Sequence, residues 1–398
     1  MLTRLILRIS LFLLLSGNLF AQEVVKNTNF FEEIEYELVN GKLIIPVEIQ
    51  DKVFHFFFDT GGLLVISPEV KEALELRSID SGTVTGVNKI KTKIDVVVIN
   101  QLKIGSLEFN NRKAIISNIF QKHPVTCFEV AGIIGRDFLK NMAIQIDQKN
   151  NNITLTDQPH RLNLDKVKAQ KLHFNENKVP ILPIKVNGKN IKKVLFDSGS
   201  DDFISFKTSN IFKYRKRKVY SKEDIVELYG NFSLGIGGTY PSPEKQYHIY
   251  VEEFQLADIT FEEFYSDISK NSNNRIGSAL LDYGILTLDF INKKFYFDKY
   301  DKTVQIQKIN SFGFKMRITE QNAFVSGVFQ DSPAASKGIE VGQKILSIEN
   351  VLLSQLSNRQ RCDFYNNNFP WYDNDQIEVK FIDKFGKIKV ISLEKFEL

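Results

Sequence analysis

The chain has 398 residues, enough for two or three domains with cores of their own. Hydrophobic residues make up 43% and charged residues 25%, as in an ordinary globular protein, which sets aside a disordered or fibrous chain. A formal net charge of +4 is too small to suggest nucleic acid as a partner, and none is expected.

The chain begins with a basic n-region (Arg4, Arg8), an apolar stretch ISLFLLLSGNLF and Ala21, the pattern of a cleaved secretory signal peptide over residues 1–21. A membrane anchor is the alternative, but the apolar run is short for a span of about 20 residues. No Cys near the cleavage site offers a lipidation point, and no later run is long and apolar enough to cross a bilayer. Export is therefore expected, to the periplasm or beyond, with no membrane span after signal removal.

Two long blocks then repeat. The first, IIPVEIQDKVFHFFFDTG, ends on Asp59-Thr60-Gly61; the second, ILPIKVNGKNIKKVLFDSG, ends on Asp197-Ser198-Gly199. Each is an apolar strand with a proline (Pro46, Pro183), a polar turn, and a second strand ending in Phe-Asp. Asn187-Gly188 is a hairpin turn of the expected chemistry. After the first Asp, Ser67-Pro68 marks the start of a short helix, an N-cap followed by proline at the first helical position. A second pair follows downstream. IIGRDFLKNMAIQID contains Gly135, and RIGSALLDYGILTLD contains Gly277; each glycine precedes the closing Asp by 12 residues. The same order of elements occurs twice, so two homologous β-rich lobes are expected, residues 22–160 and 161–303.

Residues 304–398 repeat neither lobe. SPAASKG reads as a capped helix start at Ser332-Pro333, and the tail QIEVKFIDKFGKIKVISL as a hairpin about Lys384-Phe385-Gly386. The two cysteines, Cys127 and Cys362, are too few for a disulfide framework; they are expected to be free and buried, with a bridge between them left open. The basic run KYRKRK (Lys213–Lys218) reads as a solvated loop. The five histidines are scattered without metal-ligand spacing, so neither a metal nor a cofactor is expected. There is no nucleophile elbow and no HExxH helix, and GIGG lacks the Lys-Ser/Thr of a phosphate loop.

A single Asp-Thr/Ser-Gly triplet carries little information, since alone it reads as a strand-to-turn junction with an Asx hydrogen bond. Two copies at equivalent places in a repeat carry much more. An ionised Asp is costly to bury without a partner. Two carboxyls held close cannot both ionise easily and so share a proton, which is the arrangement that general acid–base catalysis needs. Glycine beside each acid (Gly61, Gly199) lets backbone approach closely. The Thr60 and Ser198 hydroxyls are placed to hydrogen-bond the facing loop.

These residues resemble the aspartic proteases of the pepsin and retropepsin kind. FFFDTGG…GIIGRDFL is similar to a retroviral-type lobe, and LFDSGSDD matches that type's active-site loop. The resemblance covers about two thirds of the chain. It implies a mostly β fold, a bilobal pair of aspartic-protease-like β-barrels, acting as a single-chain endopeptidase with Asp59 and Asp197 as catalytic acids, and Gly135 and Gly277 packed behind them. It also implies a flap hairpin over the cleft, for which the candidates are SGTVTGVNK, with Thr85 and Gly86, and LGIGGTY, with Gly237 and Gly238. A plain surface hairpin is the other reading of each. Gly62 stands where many relatives carry Ser, Thr or Ala. In lobe two Ser200 offers a hydroxyl to Asp197, which would make Asp197 the more easily ionised acid. A cross-lobe ion pair between Arg136 and Asp201 is a further expectation.

The last segment resembles a PDZ domain, a small α+β unit, in the strand order common in secreted bacterial proteases. SFGF, with Phe312, Gly313 and Phe314, matches the loop whose backbone N–H groups capture a C-terminal carboxylate. A packing module without a ligand is the other reading. The expected whole is an exported, monomeric aspartic endopeptidase acting on peptide or protein substrates, with a possible C-terminal peptide ligand at residues 304–398. The alternative is a catalytically silent peptide-binding scaffold of the same fold.

Overall fold

The strand Lys52–Asp59 carries Phe54, Phe56, Phe57 and Phe58, and its period of two puts them to use on both faces. Phe56 and Phe58 are fully buried in the lobe core, while Phe57 turns the other way onto Phe128, ring centroids 5.1 Å apart. The computed structural model describes residues 26–85, 91–207, 211–235, 238–269, 273–300, 310–319, 321–365 and 370–397. The expected signal peptide and the flap glycines Gly86 and Gly237 lie outside the described residues.

Lys52–Asp59 pairs antiparallel with Lys42–Ile49 and parallel with Gly132–Gly135, with Asp59 opposite Gly135. Among the described residues lobe one forms an eight-stranded sheet and lends further strands to a second one. Its long hairpin, Ser78–Thr85 with Lys91–Ile104, holds the first flap candidate. The expected helix forms at Pro68–Ala73, where Ser67 Oγ accepts from the Val70 N–H at 3.3 Å.

Lobe two repeats the arrangement. Lys189–Phe196 pairs antiparallel with Pro180–Val186 and parallel with Arg275–Ile276, with Phe196 opposite Ile276. Its own long hairpin is Ile225–Gly235 with Gly238–Leu256. The repeat also closes the two lobes on each other. Ala143–Asp147, the strand that follows Gly135, runs antiparallel to Gly284–Asp289, the strand that follows Gly277, with Ala143 opposite Asp289 and Ile146 opposite Leu286. These two strands are the middle of a six-stranded sheet that takes strands from both lobes, and Ile144, Ile146, Leu286 and Leu288 are fully buried. The expected mostly β, two-lobed architecture is thus built from twin half-sheets about a pseudo-two-fold axis.

Residues 310–397 add strands at Phe314–Ile318, Ala323–Phe329, Lys344–Ile348, Gln376–Ile382 and Ile388–Glu394, with helices at Pro333–Ser336 and Asn358–Tyr365. They have a core of their own, including Ile318, Val325, Ile345, Val379 and Leu393. The tail hairpin forms as expected, and Ser332 Oγ caps the first helix by accepting from the Ala335 N–H at 3.2 Å. This region is tied to both lobes. Leu228 and Tyr229 of the lobe-two hairpin pair with Phe329 and Val328, which makes the two sheets continuous. The tie to lobe one corrects the expectation of free cysteines: Cys127 and Cys362 form a disulfide across 235 residues of sequence. Helix Asn358–Tyr365 lies against the Val125–Phe128 turn, with Tyr365 edge-on to Phe128 at 5.9 Å, and this docking brings the two Cα atoms to 5.2 Å.

Candidate active site

The strands ending at Asp59 and Phe196 meet at the lobe junction, where two hydroxyls lock them together. The Thr60 N–H donates to Ser198 Oγ (3.0 Å), and Thr60 Oγ1 donates to the Phe196 carbonyl (3.2 Å). The mirror pair runs the other way: the Ser198 N–H donates to Thr60 Oγ1 (3.1 Å) and Ser198 Oγ to the Phe58 carbonyl (2.8 Å). Both side chains are buried, so the four bonds exchange no partners with water and fix the two loops rigidly.

This brace sets the acids face to face. Asp59 Oδ1 accepts the N–H groups of Gly61 and Gly62, each at 2.8 Å, and Asp197 Oδ1 accepts that of Gly199 at 3.1 Å. Each loop's glycine passes against the other loop's acid. A Cβ on Gly199 would lie 2.4 Å from Asp59 Cγ, and one on Gly61 would lie 2.8 Å from Asp197 Oδ1. No larger residue fits at either place without separating the pair. Burial pushes the Asp59 carboxyl up to about 7, and the Asp197 charge and a hydrogen bond with Asp197 push the same way; the two glycine N–H groups pull only partly back.

The surroundings of the two acids differ. Arg275 Nη1 lies 3.8 Å from Asp197 Oδ2, and the same guanidinium holds Asp202 Oδ2 at 3.1 Å. Sequence reasoning passed over Arg275. The signal was there in the repeat: RIG aligns with IIG, placing a cation where lobe one has Ile133. Two expectations need correction. Ser200 Oγ donates to Asp202 Oδ2 at 3.1 Å, not to Asp197, because the Asp202 carboxylate two residues on is the nearer strong acceptor. The expected Arg136–Asp201 pair is replaced by two separate contacts. Arg136 donates to the Gly61 carbonyl (2.7 Å) and the Gly62 carbonyl (3.2 Å) within its own lobe. The cross-lobe partner of Asp201 is Lys42, at 3.1 Å, whose Nζ also donates to the Gly199 carbonyl at 2.8 Å.

Gly135 and Gly277 support the loops from behind. A Cβ on Gly135 would lie 2.4 Å from the Gly62 backbone, and one on Gly277 2.3 Å from the Asp202 carbonyl. The residue after each glycine bonds the same neighbour in each lobe: the Arg136 N–H donates to the Gly62 carbonyl (3.1 Å) and the Ser278 N–H to the Ser200 carbonyl (2.7 Å). Gly62 also has no room for a side chain, since a Cβ there would lie 2.7 Å from Asp59 Oδ2. Thr85 and Gly238 sit at the strand ends of the two long hairpins. Between the first hairpin and residues 116–122 lies a cavity of about 590 Å³ whose lining includes Ser81, Thr83, Lys93, Asp95 and Ser117. In the C-terminal region Phe312 is buried, and Phe314 opens the strand Phe314–Ile318. Gly313 has φ +91° and donates its N–H to Ser311 Oγ at 3.0 Å. Tyr365, also of this region, packs on Phe128 and lies within electrostatic reach of Asp201. Burial and the Asp201 charge push its hydroxyl up to about 12.

Residues 45–138 match the model of a family described as Aspartyl protease. The match runs from the strand before Asp59 through Gly135 and Arg136. No curated protein matches the chain. Among solved structures, an aspartic proteinase from Irpex lacteus is 10% identical, covering 68% of this chain and 98% of its own, with a TM-score of 0.40. Basic 7S globulin from soybean is likewise 10% identical, with coverages of 68% and 96% and a TM-score of 0.40.

Proposed function

We propose that the chain is an aspartic endopeptidase that hydrolyses peptide bonds in extended peptide or protein substrates through a water activated by Asp59 and Asp197, without a cofactor. The observation that carries this is the acid pair itself: two carboxyls from equivalent loops, locked by four buried cross-lobe hydrogen bonds, with Asp59 held protonated well above the ordinary carboxyl range by burial and by the Asp197 charge. The ionised acid takes a proton from the bound water as its oxygen attacks the scissile carbonyl. The protonated acid gives its proton to the carbonyl oxygen. Collapse of the resulting diol breaks the C–N bond, the first acid returns its proton to the leaving nitrogen, and the second recovers one from the diol hydroxyl. The two long hairpins would wall the cleft over the bound substrate.

Export to an oxidising compartment fits the Cys127–Cys362 bond as well as the N-terminal pattern. The PDZ-like region would bind a C-terminal peptide at the loop of Phe312, Gly313 and Phe314. It would alternatively regulate access to the cleft.

The test is cleavage of a mixed peptide library by the purified mature chain from about pH 3 to 8, a range chosen because a coupled pair titrates as a unit. Turnover that disappears in both Asp59→Asn and Asp197→Asn supports the reading, and the cut sites define the subsites. A folded chain that cuts nothing across the range, alone or with added C-terminal peptides, would rank the silent peptide-binding scaffold first.

A further inference from the structure

Because the lobes repeat, each position near one acid has a counterpart near the other. Leu195 stands opposite Arg275 as Phe57 stands opposite Ile133, so Arg275 is the lobe-two counterpart of Ile133. Counted from the acids, Ser200 and Asp202 are the counterparts of Gly62 and Leu64. Lobe one fills these three places with Gly, Leu and Ile. Lobe two fills them with Ser, Asp and Arg.

The three polar residues form one connected unit. Asp202 Oδ2 accepts from Ser200 Oγ at 3.1 Å, from Arg275 Nη2 at 3.1 Å and from Arg275 Nε at 3.4 Å. That grip aims the remaining nitrogen, Nη1, at Asp197 Oδ2, 3.8 Å away. The Arg275 side chain is about one quarter exposed (26%), which limits solvent screening of the pair. The other charges around Asp197 do not substitute for it. Asp59 faces it across the junction. Asp201 is paired to Lys42, and Lys42 reaches the Gly199 carbonyl. Arg136 is committed to the Gly61 and Gly62 carbonyls on the Asp59 side.

We propose that Arg275, gripped by Asp202 and Ser200, is a positioning residue that keeps Asp197 ionised, so that Asp197 takes the proton from water and the shared proton rests on Asp59. The proposal rests on the aspartic-endopeptidase reading and divides the labour within it. The upward push on Asp59 from burial and from Asp197 accords with this division.

The test is a carboxyl titration that needs no turnover. In the full chain carrying Asp59→Asn, the side-chain carboxyl ¹³C resonance lost on adding Asp197→Asn belongs to Asp197. Its midpoint is then followed with Arg275 intact, with Arg275→Lys and with Arg275→Ile. An opposite charge at this range depresses a carboxyl by roughly 1 to 3 units, so Arg275→Ile raises the midpoint by about 1 unit or more and Arg275→Lys falls between. Arg275→Ile alone strands Asp202 and can fail to fold. The triple change Ser200→Gly, Asp202→Leu, Arg275→Ile rebuilds the lobe-one set and gives the same rise. A midpoint that stays put in whichever of these variants folds overturns the proposal. A chain that titrates as expected but cuts no peptide would instead count against the endopeptidase reading. In a chain that does cut, the acid limb of kcat/KM moves up by the same amount as the midpoint.

Discussion

Around Asp59 the counterpart positions Gly62, Leu64 and Ile133 present only backbone and hydrocarbon; around Asp197 the same positions present a hydroxyl, a carboxylate and a guanidinium. The backbone pairing beneath them is the same in both lobes, with Phe57–Ile133 and Leu195–Arg275 in equivalent register. What the two lobes must share is therefore narrow: a strand ending in the acid, a small hydroxyl residue, and glycine where the facing carboxyl passes. What they do not share is the polar set that we propose divides one proton between the two acids.

The largest structural effect should come from breaking what is shared. Thr60→Val leaves the buried Phe196 carbonyl and the Ser198 N–H without their partner, and Ser198→Ala does the same to Phe58 and Thr60. An orphaned buried group costs about 1–3 kcal/mol, so each change should lower unfolding free energy by about 2–5 kcal/mol in urea titrations. Similar losses in the two variants would show that the brace is symmetric; a loss in only one would show that a single hydroxyl does most of the bracing.

The next effect concerns the ties to the C-terminal region, which are covalent to lobe one and through sheet pairing to lobe two. Replacing Cys127 and Cys362 together with Ser should cost about 2–4 kcal/mol, read as a lower thermal midpoint that reductant no longer affects. A midpoint unchanged by both the substitution and the reductant would show that sheet pairing alone secures the region.

Asp59→Asn should stabilise the chain in a pH-dependent way. Below about pH 4 the carboxyl is protonated in both folded and unfolded chains and contributes nothing. Between its ordinary value of 3.8 and about 7 the unfolded chain ionises while the folded one keeps its proton, so stability falls as pH rises, and the loss is complete above about 7. The variant should therefore gain on the order of 1–3 kcal/mol at pH 7.5 and nothing at pH 3.5, by paired melts. A gain of equal size at both pH values would contradict the proton-sharing account. The smallest effect belongs to Lys42→Met, which removes a half-exposed ion pair with Asp201 and one bond to Gly199; about 1 kcal/mol is expected, shrinking in high salt.

The sequence shows the acids because the repeat does: two Phe-Asp-Thr/Ser-Gly strands, each followed by an Ile-Gly strand, call for a pseudo-symmetric partner for each half-buried carboxyl. The capped helices at Ser67 and Ser332 and the tail hairpin were legible for a local reason, since caps and turns are decided within a few residues. Contacts made by docking were not legible. Lys42 meets Asp201 across 159 residues, and Cys127 meets Cys362 across 235, distances over which no local pattern specifies a partner. Arg275 lies between these cases. Its residue type stood out against Ile133, but its direction depends on Asp202, and the same carboxylate draws Ser200 away from Asp197.

Asp59 and Asp197 are proposed to act as one catalytic unit. This is tested most directly by kcat/KM on a peptide cut by the unmodified chain, measured for Asp59→Asn, Asp197→Asn and the double variant. The account predicts a loss of about 10²–10⁴-fold in each single variant and no further loss in the double, because groups acting as a unit are not additive. A single variant that retains most of its turnover, or losses that multiply in the double, would contradict it.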